Sequence, residues 1–96
     1  MNVAEMTLLE EAQSIIKGAR QESYGRALES FTRIGKLWEQ VLGVEISPEQ
    51  VALCLVQLKV SRAVSSPTHR DSWVDIAGYA GCWELIQIGR DEHASQ

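Results

Sequence analysis

The sequence predicts an all-α fold: a single domain of four helices. Three observations predict it. Apolar residues recur at three- and four-residue spacings, helix-start signals stand at Thr7–Glu10 and Ser47–Gln50, and no stretch reads as a convincing strand. Ninety-six residues allow one hydrophobic core and no second domain. The ends, residues 1–6 and 90–96, are expected to be flexible.

Taken in order, Thr7-Leu8-Leu9-Glu10 has the form of a capping box, in which hydroxyl and carboxylate satisfy free amides at a helix start. Leu8, Ala12, Ile15 and Ile16 follow at helical spacing, and Gly18 closes this short first helix. The link ARQESYG, residues 19–25, is expected to be irregular and carries Arg20, Glu22 and Tyr24. From Arg26 the pattern resumes through Leu28, Phe31, Ile34, Leu37 or Trp38 and Val41 to Gly43, with Glu29, Arg33, Lys36 and Glu39 on a solvated side.

Ser47-Pro48-Glu49-Gln50 starts the third helix: Ser47 caps, Pro48 takes the first position where its missing N–H costs nothing, and Gln50 completes the box. VALCLV, residues 51–56, is apolar on all sides and calls for cover from neighbours or from another subunit. Six apolar residues also fit a buried strand, but the caps and the continuation through Leu58, Val60 and Ala63 favour helix. Ser65-Ser66-Pro67 ends it. Thr68 or Asp71 is expected to cap the fourth helix, whose apolar positions include Trp73, Val74, Ile76, Tyr79, Trp83, Leu85 and Ile86. Gly78 and Gly81 inside it each cost about 1 kcal/mol relative to alanine, which points to a close helix crossing or ligand approach. A polar tail begins at Arg90.

Composition narrows the function. A net charge of −4 argues against a binder of nucleic-acid polymers, which takes a surplus of Lys and Arg. Two or three cations in one place still suit a small phosphate-bearing ligand. Cys54 and Cys82 lie in apolar runs, without the closely spaced partners of a zinc site, and are expected to be reduced core thiols. Nothing resembles a signal peptide or a membrane span, so a soluble protein of the cytoplasm is expected.

The chemistry concentrates where the third helix meets the fourth. Lys59 and Arg62, three apart on one helical face, suit a phosphate or pyrophosphate; near a helix C-terminus they also offset the macrodipole. Asp71 and Asp75, four apart, could hold Mg²⁺ with waters and a substrate phosphate, or serve as first-turn acids, with Asp75 bridging to Lys59 or Arg62. His69 suits an acid, a base or a donor to phosphate, or is a hydrogen-bond partner or a plain surface residue. Most of the aromatic side chains are expected in the core, and Tyr24, beside Arg20, is the one suited to stacking on a base.

Taken together, ARQESYGRALESFTRIGKLW, SPEQVALCLVQLKVSR and HRDSWVDIAGYA resemble a small helical family of unknown function seen mostly in bacteriophages and prophages. The resemblance covers about residues 8–81 and implies phage origin, an infected bacterial host and an all-α fold. Its motif positions fall on Arg20, Tyr24, Gly25, Phe31, Lys59, Arg62, His69, Asp71, Asp75, Gly78 and Tyr79. A more distant likeness is to the MazG-like all-α nucleoside triphosphate pyrophosphohydrolases. That likeness would imply Mg²⁺ held between a glutamate pair and an acidic pair, but the EExxE pattern of that family has no counterpart in the second helix.

Three functions follow as expectations. The first is a non-enzymatic, homo-oligomeric binder of a small nucleotide, sequestering a host immune signal, with Arg20, Lys59, Arg62 and His69 on phosphates and Tyr24 or a tryptophan on the base. The second is a MazG-like, Mg²⁺-dependent pyrophosphohydrolase with Asp71, Asp75 and Glu22 or Glu29 as metal ligands and Lys59 on the substrate. The third is a helical module that binds another protein.

Overall fold

The structure is a computed structural model that describes residues 5–17 and 24–94. Among the described residues it contains four helices and no strand: α1 (Leu8–Lys17), α2 (Tyr24–Leu42), α3 (Pro48–Ser65) and α4 (Arg70–Ala94). α4 is the axis of the fold and packs against each of the other three, while α3 also packs on α2.

Both expected capping boxes form. The Thr7 N–H donates to Glu10 Oε1 at 2.9 Å while the Glu10 N–H donates to Thr7 Oγ1 at 3.2 Å. Ser47 and Gln50 repeat the exchange at 2.8 and 3.1 Å, with Pro48 just inside. α2 ends as its glycine dictates: Gly43 takes φ +74°, and its N–H donates to the Glu39 carbonyl at 2.8 Å.

Other boundaries differ from the sequence expectation. α2 starts at Tyr24, two residues before Arg26, so Tyr24 opens a helix and does not lie in an irregular link. Neither Thr68 nor Asp71 caps α4. Arg70 is its first residue, His69 holds the cap position, and the His69 carbonyl accepts the Ser72 N–H at 3.2 Å. α4 also continues past Arg90 to Ala94, and Arg90 has a partner across the fold: its guanidinium donates to both carboxylate oxygens of Glu49, at 3.0 Å to Oε1. Gln87 donates to the same carboxylate at 2.9 Å. This pairing of the start of α3 with the end of α4 makes the two helices antiparallel neighbours.

The core gathers Phe31 from α2, Val51 and Ala52 from α3, and Cys82 and Ile86 from α4. Two glycines permit it. A Cβ on Gly81 would stand 2.7 Å from Ile16 Cδ1, so the small-residue side of α4 is where α1 crosses closely, as its two glycines imply. A Cβ on Gly35 would stand 2.7 Å from the Ile46 carbonyl oxygen, so the α2–α3 connection folds back onto α2 at that point. Glu39 braces this connection by accepting the Ile46 N–H at 2.8 Å, which takes it out of the solvated face expected for it.

The Cα trace measures only 40 × 31 × 14 Å. In so thin a slab each helix keeps a side in solvent, since packed helix axes are already 8–10 Å apart. This geometry corrects the expectation for one cysteine. Cys54 is exposed and only Cys82 is a core thiol. Among the aromatic residues Phe31 is buried and Trp38 and Tyr79 pack against the core, as expected, whereas Trp73 and Trp83 are 46% and 57% exposed. VALCLV is covered on one side only, with Val51 and Ala52 buried and Leu53 63% exposed.

Candidate functional site

Lys59 lies on the flank of α3 that faces α4, one turn before Ala63 is buried there. Its ammonium pairs with Asp75 Oδ2 at 3.1 Å, and its side chain is 20% exposed. A cation so covered needs a counter-charge to remain favourable, and Asp75 supplies it. Asp75 also lines a half-open groove of about 340 Å³ between α1 and α4. Ile15 and Ile16 form one wall; Val74, Gly78, Tyr79 and Cys82 form the other. The site is therefore an apolar groove lined by one carboxylate, which is paired with the Lys59 ammonium.

Arg62 and His69 lie at the adjoining corner. With Ser61, Ser65, Ser66 and Ser72 they line a second, more open concavity of about 380 Å³. Ser72 is buried although polar, whereas Arg62 and His69 are exposed. The loop between α3 and α4 is fixed by the Ser66 N–H donating to the Arg62 carbonyl at 2.9 Å and by Trp73 Nε1 donating to the Pro67 carbonyl at 2.9 Å. Arg70 points to the other side, bonding Glu11 at 2.9 Å and the Met6 carbonyl at 3.1 Å, which ties the start of α1 to the start of α4.

The structure thus pairs Lys59 with Asp75 and places Arg62 and His69 on one concavity. Asp71 is exposed in the first turn of α4, where its charge complements the helix dipole, and it lines neither concavity. Arg20 lies outside the described residues; so does the side chain of Tyr24. Among the described residues no group of three or more His, Cys, Asp or Glu side chains could hold a metal ion. No helix among them is long and apolar enough to cross a membrane.

Sequence reasoning missed the α1 wall of the groove, whose one signal is the Gly78/Gly81 pair facing it. It also missed the Glu49–Gln87–Arg90 cluster, which no local pattern encodes. The two hydrogen-bond donors hold the Glu49 carboxyl down to about 2, and the same pairing raises Arg90.

Comparison with known proteins agrees with the phage resemblance. Residues 7–87 match a domain of unknown function, DUF6378. The chain is 44% identical over 88 residues to the Gene 55 protein of Mycobacterium phage L5, covering 91% of this chain and 56% of the relative. It is 44% identical over 80 residues to the Gene 55 protein of Mycobacterium phage D29, covering 83% of this chain and 53% of the relative. The chain therefore spans about half the length of these curated relatives. No solved structure matches. With nearly the whole chain matched, and with relatives in two mycobacteriophages, this protein belongs to the DUF6378 family.

Proposed function

We propose that the chain binds a small nucleotide at the α3–α4 corner, as a homo-oligomer, and holds it intact. In a phage setting this would withdraw a host immune nucleotide signal from its receptor. The observation that carries the reading is Asp75, which lines an apolar groove and holds the Lys59 ammonium at 3.1 Å. The groove falls within the ~300–1,000 Å³ of small-ligand pockets, which combine apolar walls with a few placed polar groups. In this reading a base lies against Tyr79 and the isoleucines of α1. Phosphates reach Lys59, Arg62 and His69, with Arg20 and Tyr24, the first residue of α2, as further contributors. Asp75 positions Lys59, and Asp71 sets the charge of the adjoining turn.

The test is incubation with Mg²⁺ and a panel of nucleoside triphosphates, cyclic dinucleotides and cyclic ADP-ribose isomers, followed by filtration and chromatography before and after heating. A compound missing from the filtrate and returned unchanged by heat supports the reading, and Lys59→Met should lower that retention at least tenfold. Release of pyrophosphate or a monophosphate would replace it with the MazG-like, Mg²⁺-dependent hydrolysis. Full recovery of every compound in the filtrate would leave a helical protein-interaction module.

A further inference from the structure

α3 and α4 each carry a second apolar stripe, on the side turned away from the core. On α3 it runs Leu53, Gln57, Val60, Val64, with Leu53 63% and Val64 77% exposed. On α4 it runs Trp73, Ile76, Ala80, Trp83. Both stripes step by three and four residues, the spacing that keeps side chains on one line of a helix and lets them interlock with another helix.

The two stripes share a surface. The buried side of α3 is marked by Val51, Ala52 and Ala63, and that of α4 by Val74, Cys82 and Ile86. At 3.6 residues per turn, each stripe lies roughly 130° round from its helix's buried side, in the same rotational sense. In an antiparallel pair such as α3 and α4, equal rotation in the same sense leads to the same side of the hairpin. The groove lined by Asp75 and Gly78 lies on the other side.

We propose that this outer face of the α3–α4 hairpin is the contact between two copies of the chain. The inference gives a surface to the oligomeric part of the reading above, and its test does not depend on a nucleotide being bound. The eight side chains leave roughly 600–700 Å² open, close to the ~800 Å² per partner of a stable interface before any rim is counted. None of the eight is charged, so a two-fold contact on this face brings no like charges together where residues near the axis meet their own copies. The Trp73 indole N–H is already bonded to the Pro67 carbonyl, so burying that ring strands no donor.

The experiment is sedimentation equilibrium of the full chain over a range of concentrations, without added nucleotide. The wild type should sediment at twice 10.7 kDa. The variant Val64→Glu/Trp83→Glu should sediment at 10.7 kDa with an unchanged helical circular-dichroism spectrum. Should that pair fail to fold, Val64→Lys alone, at a position the protomer leaves open, should weaken dimerisation at least tenfold. Val41→Glu, on the 83% exposed Val41 of α2, should leave the dimer intact. A wild type at 10.7 kDa at every concentration overturns the proposal and assigns the face to another protein or to the further length its relatives possess. So does a dimer that survives Val64→Lys and is lost with Val41→Glu.

Discussion

Replacing Gly35 with alanine sets two effects against each other, and the geometry decides between them. Gly35 lies inside α2, where alanine favours the helix over glycine by about 1 kcal/mol. On that ground alone the substitution stabilises. The new Cβ, however, would stand 2.7 Å from the Ile46 carbonyl oxygen and 3.5 Å from Val51 Cγ2. An unstrained carbon–oxygen approach is about 3.3 Å or more, so something must move by roughly 0.6 Å. The obstacle is backbone and cannot rotate away. Ile46 is held by its N–H bond to Glu39, and Ser47 beside it is held by the α3 capping box. Overpacking against such a fixed neighbour costs about 1–3 kcal/mol, which exceeds the propensity gain. The net expectation is a loss of about 1 kcal/mol and a Tm lowered by roughly 4–8 °C for a domain of this size. Thermal unfolding followed by circular dichroism measures it directly. Removing the brace should relieve the clash, so the Gly35→Ala penalty should shrink in a Glu39→Ala background. A Gly35→Ala protein melting above wild type, or an equal penalty with and without Glu39, would refute the argument.

Three further outcomes follow from other contacts. Glu49 has its carboxyl lowered from 4.5 to about 2, so the stability it contributes is whole above pH 4.5 and is lost as the pH falls towards 2. Arg90 is 45% exposed and screening discounts the full shift, leaving about 1 kcal/mol; denaturant titrations at pH 6 and pH 3 should show that loss in the wild type and a smaller one in Glu49→Gln. Gly81→Ala meets only the flexible end of Ile16, so its stability should stay within about 1 kcal/mol of wild type and turn favourable in an Ile16→Val background, where the obstructing methyl is gone. Maleimide should modify exposed Cys54 in the folded protein while buried Cys82 reacts only on unfolding; equal rates in mass spectrometry would contradict the burial assigned to them.

What the sequence determined by itself is local. Thr7–Glu10, Ser47–Gln50 and Gly43 place helix ends because a cap is satisfied by residues within four positions of it. Helical spacing of apolar residues then fixed the class, and the Lys59–Asp75 pair was legible as one of the partnerships a short α3–α4 loop allows. Two glycines in α4 announced a close crossing without saying which helix makes it. The tertiary structure alone decided the rest. That Ile15 and Ile16 close a groove over Asp75, that Glu49 reaches Arg90 across 41 positions, and that Cys54 faces outward all depend on how the helices are arranged. An apolar run such as VALCLV states that it prefers to be buried, but hydrophobic attraction has no direction and does not name the surface that covers it. Here α2 and α4 cover one side of α3, and α1, α2 and α3 cover one side of α4, which leaves Leu53, Val64, Trp73 and Trp83 facing out.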